Sequence, residues 1–194
     1  MMSQHGRVGP EHARKQAELR IFQEGSATHA LSQKVVAVGP GYRLFLAVPK
    51  APAPAGGWPV LYMLDGNAAF DFLTAEHLAL APGLVVAGIG YDTDRQFARE
   101  LRTLDFTAPD GPGDGLRPDH VHEGRTAGGA AIFHDRLTGP LRDAAEAGLP
   151  IDATAARFGA TVSAGCSRFT RCSPGRTALP AMPRSAPRSG GTRR

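Results

Sequence analysis

Trp58-Pro59-Val60-Leu61-Tyr62-Met63-Leu64-Asp65-Gly66-Asn67-Ala68-Ala69-Phe70 is the stretch that decides the fold. Its apolar run, 60–64, puts hydrophobic side chains on both parities, so both faces of a strand there must be covered. That is the pattern of a central strand in an α/β sheet. The run stops at Asp65-Gly66-Asn67 and resumes as an Ala/Phe-rich helical pattern. Gly66 permits a sharp turn, and either Asp65 or Asn67 can cap the helix that follows. Backbone N–H groups at such a turn have no intrahelical partner and can hold a developing oxyanion. The same spacing suits an ordinary strand-to-helix turn, and spacing alone does not separate the two.

Working outward, residues 68–80 read as one helix, with Phe70, Phe72, Leu73, His77 and Leu80 placed to pack on the sheet. His77 reads as a polar residue of that helix rather than a catalytic base. Pro82-Gly83 ends it, and 84–91 is a second central strand, so the three pieces make a βαβ unit. Upstream, 31–38 reads as a first strand closed by Gly39-Pro40-Gly41, and 42–48 alternates as a second. The Pro/Ala/Gly-rich 50–57 is a surface connection. Residues 1–30 form an N-terminal segment in which 11–22, with Ala13, Ala17 and Ile21 at helical spacing, is expected to be helical.

Downstream, 93–127 reads as a long polar loop, a kind that is usually functional or disordered. Asp119-His120-Val121-His122-Glu123 raises the question of a metal-dependent hydrolase, because histidines at i and i+2 share a face on a strand. Nothing places a third ligand or a supporting partner, so a solvated histidine pair is expected and no metal. After Gly128-Gly129, residues 130–147 form an amphipathic helix (Ile132, Phe133, Leu137, Leu141, Ala144, Ala145) that Gly139-Pro140 should kink.

The net charge of +4 belongs to one end of the chain. Residues 157–194 hold eight arginines (157, 168, 171, 176, 184, 188, 193 and 194) and no acid, which leaves −4 for the remainder. Both cysteines, Cys166 and Cys172, lie there too, so cysteine usage says little about redox compartment. The polar N-terminus has no apolar signal core, and no stretch approaches the ~18 unbroken apolar residues of a membrane span. A cytoplasmic protein with no membrane partner is expected.

Residues 42–49 (Tyr-Arg-Leu-Phe-Leu-Ala-Val-Pro), 59–67 (Pro-Val-Leu-Tyr-Met-Leu-Asp-Gly-Asn) and 85–91 (Val-Val-Ala-Gly-Ile-Gly-Tyr) resemble the front half of the esterase D type α/β-hydrolases. Within that group they are most like the ferric-enterobactin and salmochelin esterases. The resemblance runs from about Tyr42 to Asp152 and implies an incomplete α/β-hydrolase: a three-layer α/β/α sheet, N-terminal half only, in residues 31–156. It implies a serine ester hydrolase without a cofactor, with Asp65, Gly66 and Asn67 forming the oxyanion hole. The motif Arg102-Thr-Leu-Asp-Phe-Thr107 implies a substrate mouth in which Arg99, Arg102 and Asp105 face a small-molecule ester. Arginines there would suit an anionic ferric siderophore.

The resemblance then stops. An α/β-hydrolase needs Gly-x-Ser-x-Gly on a strand-to-helix elbow, followed by an acid and a histidine. The chain instead reads Arg157-Phe-Gly-Ala-Thr-Val-Ser-Ala-Gly-Cys166, and no histidine follows His134. Joining the third base of each codon from Arg157 to the next two bases gives xTT, xGG, xGC, xAC, xGT, xTC, xGC, xGG, xTG. Those triplets permit Leu-Trp-Gly-His-Ser-Leu-Gly-Gly-Leu, which is similar to the family's nucleophile elbow. The sequence therefore predicts a frameshift near 153–156 and a disordered, out-of-frame tail over 157–194. The nucleophile serine and catalytic histidine would be lost, and the strand at 60–64 would have a bare edge. A reading from a different class is a non-catalytic basic protein that uses the tail for nucleic acid or other polyanions. Arginines spread thinly with little aromatic interleaving make nucleic acid the weaker partner.

Overall fold

The computed structural model describes residues 15–110 and 113–159, with backbone alone for 156–159. Five strands form one sheet in the order β1-β2-β4-β3-β7. They are β1 (His29–Val36), β2 (Tyr42–Pro49), β3 (Trp58–Leu64), β4 (Val85–Tyr91) and β7 (Ile151–Gly159). The hairpin β1–β2 closes through Gly39 and Gly41, both at positive φ (57° and 85°), a conformation that favours glycine. β2 also runs antiparallel to β4, whereas β3 is parallel to β4 and to β7.

The two-parity pattern of the central strands is explained by cover on both faces. On one face Tyr42, Leu44, Val60, Tyr62, Ala87 and Ile89 pack with Phe133 and Leu137 of α5 (Ala130–Thr138) and Leu141 of α6 (Pro140–Glu146). On the other, Phe45, Ala47 and Val86 meet Ile21 of α1 (Ile21–Glu24), Phe70 of α2 (Gly66–Phe72) and Leu78 of α3 (Ala75–Ala79). Phe45 and Phe70 are fully buried and stack with centroids 5.3 Å apart. Burying each such ring contributes about 1.5–3 kcal/mol. The result is the expected three-layer arrangement.

Several local expectations change. The described part of the region expected to be helical, 15–22, is not one helix: residues 15–19 are outside any helix, Gln16 bridges Arg95, and the helical residues among those described begin only with α1. The helix expected over 68–80 is two, α2 and α3, broken at Leu73–Thr74. Thr74 and His77 there form a reciprocal capping box that starts the second helix. The break turns Phe72 and Leu80 outward, 63% and 85% exposed, so neither packs on the sheet. Gly139-Pro140 goes beyond kinking its helix and divides it into α5 and α6, with Pro140 at the first position of the second.

The loop after β4 contains a helix, α4 (Arg99–Asp105), and a two-residue ladder of β5 (Arg117–Pro118) with β6 (Thr126–Ala127). The bare edge expected at 60–64 is also overturned, because β7 pairs with β3 on that side. This ladder includes the backbone of 157–159, three residues past the expected boundary at 156. Its register slips: Ile151 sits opposite Trp58 but Ala156 opposite Val60, so 152–155 loop out of the pairing. Asp152 closes that excursion by accepting from Thr154 N (2.8 Å) and Oγ1 (2.6 Å). Residues 160–194, with Ser163, both cysteines and seven of the tail's arginines, lie outside the described residues. Among the described residues no helix is long and apolar enough to cross a membrane.

Candidate active site

β3 ends at Leu64 and α2 begins at Gly66, so a single residue makes the turn. Asp65 does it in the left-handed region (φ 54°, ψ 46°), which aspartate tolerates better than most residues at a cost of about 1 kcal/mol. Gly66 then lies against β4. A Cβ there would stand 2.7 Å from the Gly88 carbonyl carbon and 2.8 Å from the Gly90 nitrogen, so only glycine fits. The turn holds the N-terminal N–H groups of α2 at the carboxyl edge of the parallel strands. In open α/β sheets this is where ligands bind.

Neither Asp65 nor Asn67 caps the helix with its side chain. The Asp65 carboxylate, 2% exposed, instead accepts from Arg102 Nε at 2.6 Å. Asn67 staples the end of β4: its Oδ1 accepts from Tyr91 N at 2.8 Å, and its Nδ2 donates to the carbonyls of Tyr91 (3.1 Å) and Thr93 (3.0 Å). Gly90 is small because Asn67 Oδ1 occupies the space a Cβ would need. Burial raises the Asp65 pKa above the usual carboxylate value, and the hydrogen bond and charge of Arg102 pull it back only in part.

The three substrate-mouth candidates have separate roles. Arg102 is the partner of Asp65, and its guanidinium lies over the rings of Phe97 and Phe106, 5.0 and 5.4 Å from their centroids. Asp105 is buried and accepts through Oδ2 from the hydroxyls of Tyr42 (2.8 Å) and Tyr91 (3.1 Å). Desolvation raises its pKa, the two tyrosine hydrogen bonds and Arg136 opposing. Only Arg99, at the exposed start of α4, presents a side chain to solvent. The residues missed by sequence reasoning are Tyr42, Tyr91 and Arg136, whose Nη1 donates to Tyr42 Oη at 3.3 Å. No local signal marks them, because their partners lie 14 to 94 positions away along the chain.

His120 and His122 are exposed in the turn between β5 and β6, not on a strand. His122 Nδ1 donates to Asp119 at 2.8 Å. Among the described residues no group of three or more His, Cys, Asp or Glu is arranged to hold a metal ion. The backbone of β7 reaches Gly159, and Ser163 lies outside the described residues.

Comparison with known proteins gives this geometry a lineage. The chain is 39% identical over 118 residues to the apo-salmochelin esterase of Escherichia coli O6:H1, a match covering 57% of this chain and 36% of that protein. It is 36% identical over 77 residues to the ferri-bacillibactin esterase BesA of Bacillus subtilis, covering 35% and 26%. The solved enterobactin and salmochelin hydrolase IroE superposes with a TM-score of 0.58 at 30% identity, over 72% of this chain and 55% of that one. This chain is similar to siderophore esterases over part of its length. No family model matches it. A BES protein from Bacillus cereus superposes with a TM-score of 0.52 at 27% identity. The described sheet is thus part of an α/β-hydrolase fold, and the chain spans little more than half the length of these structural relatives and less of the curated ones.

Proposed function

We propose that the described residues hold the oxyanion half of a serine ester-hydrolase site for siderophore-type esters, and that this chain by itself is inactive. The observation that carries the reading is the Asp65-Gly66-Asn67 turn, fixed by Arg102 and by the end of β4. Beside it, β7 runs parallel to β3, so their carboxyl ends lie together, where an elbow would deliver a nucleophile. The backbone amides of Gly66 and Asn67 would receive the oxyanion of an acyl-transfer intermediate. Arg99 would attract an anionic substrate, while Arg102 and Asp105 would serve the scaffold.

Residues 1–194 contain no Gly-x-Ser-x-Gly and no histidine after His134, which supports inactivity. The test is to insert one base within codons 153–156 and compare the two products on p-nitrophenyl butyrate and on ferric enterobactin. Turnover by the frame-restored protein alone is the expected result. Hydrolysis by the chain as it stands would overturn the proposal. Salt-sensitive polyanion binding by the full chain, absent from residues 1–156, would favour the basic-binder reading instead.

A further inference from the structure

Residues 15–20 are used by nothing described so far, yet their contacts bear on the rim of the candidate site. Gln16 forms an antiparallel bridge with Arg95: Ala17 N donates to the Asp94 carbonyl at 2.8 Å and Gln96 N to the Lys15 carbonyl at 3.1 Å. Gln16 Nε2 adds a bond to Asp94 Oδ2 at 2.8 Å. On its other side the segment is held by Asp71 of α2, whose Oδ1 accepts from Glu18 N at 2.6 Å and Leu19 N at 3.1 Å. The second oxygen of Asp71 takes the Gln96 amide and faces Lys15 Nζ at 3.6 Å. The chain then turns through Leu19 at φ 49° and buries Ile21 against the core shared with Phe45 and Phe70.

We infer that residues 15–20 are a strap, latched by Asp71, that orders the segment 93–98 joining β4 to α4. The physical case is that 93–98 has few anchors of its own. Its start is tied to Asn67 through the Thr93 carbonyl, and its end leads into α4, which carries Arg102 to Asp65. Between those two points its ties include three backbone or side-chain bonds to the strap and the Gln96–Asp71 bond. Only Ala98 of this segment joins the buried apolar core, and Gln96 is buried as a polar side chain, so the order of 93–97 depends chiefly on these polar bonds, and each bond removed raises the open population directly. Asp71 is the node because one carboxylate grips both the strap and the segment, so loosening one weakens the other. This inference concerns order and stands whether or not the chain hydrolyses esters.

The test is hydrogen–deuterium exchange on the full chain with Ala17→Pro, which removes the amide that donates to Asp94 and leaves Asp71 untouched. Exchange at 15–20 and at 93–98 should rise together, by about tenfold, the size expected for losing one or two net hydrogen bonds. The β1–β2 hairpin should keep its protection. Release of 15–20 with 93–98 still at its original rate would overturn the inference. If Ala17→Pro fails to give the parent near-UV spectrum, Gln16→Ala, which removes the strap's side-chain bond to Asp94 and leaves Asp71 untouched, serves instead with limited trypsin digestion. Faster cleavage after both Arg20 and Arg95 supports the strap, and faster cleavage after Arg20 alone refutes it.

Discussion

Arg102 donates through Nε to Asp65 at 2.6 Å, joining a helix after β4 to the one-residue turn between β3 and α2. The carboxylate is 2% exposed and the guanidinium 19%, so the two charges depend on each other far more than a surface pair would. Removing the arginine strands a buried carboxylate. Arg102→Ala should cost about 3–5 kcal/mol in urea denaturation. Asp65→Asn in the same background should recover part of the loss, because the stranded charge is gone. A cost below about 1 kcal/mol would mean that solvent reaches the turn freely.

Gly66 tests the packing of that turn. The atoms a Cβ would meet are β4 backbone, which cannot rotate away, so Gly66→Ala should destabilise by about 1–3 kcal/mol or more. Gly83→Ala is the matched control, since a Cβ there meets nothing within 4 Å. It should be neutral or slightly stabilising. Thermal melts of the two variants, side by side, give the comparison.

Asp71 gives a pH dependence with a definite sign. Its burial raises the carboxyl pKa, but hydrogen bonds from Gln96, Leu19 and Glu18, with the charge of Lys15, outweigh that and leave it below the ordinary value. A folded-state pKa that is depressed contributes stability above the unfolded value, near 4. That contribution is lost as pH falls through the lower, folded pKa. Asp71→Asn should therefore flatten the acid limb of stability against pH below about 4 and leave the slope between pH 6 and 8 unchanged.

The Asp105 cluster has the opposite sign. Its folded pKa is raised, chiefly by desolvation, so its ionisation erodes stability as pH rises from the unfolded value through the folded one. Asp105→Asn should remove that erosion while still accepting from Tyr42 and Tyr91. Asp105→Ala leaves two buried hydroxyls without an acceptor and should cost about 2–5 kcal/mol at pH 7, read from urea midpoints.

The sheet centre was legible because its cause is local. A run such as 60–64 with apolar residues on both parities can be satisfied only between two covered faces, and β3 and β4 are so covered. A distortion at Gly139-Pro140 was legible for the same kind of reason, since proline removes a donor wherever it stands, though the sequence suggested a kink and not two helices. The break at Leu73–Thr74 was not. It depends on the Thr74–His77 cap outcompeting a continuous helix, and the cap is favoured because α2 is already fixed at the other end by its seat on β4. Most of β7 was hidden as well, because Ala, Thr and Asp through 152–156 carry no strand pattern and the strand is defined by the free edge of β3.

By itself, then, the sequence determined the βαβ centre, the sharp turn at Asp65-Gly66-Asn67 and the absence of an elbow motif within 194 residues. Each of these follows from chemistry that neighbours along the chain can express. The tertiary structure decided what those residues touch: Asp65 with Arg102, Asn67 with the end of β4, Asp105 with two tyrosines, Asp71 with the N-terminal strap. Buried polar groups must find partners wherever the fold supplies them, and these partners lie 14 to 63 positions away, beyond the reach of any local pattern.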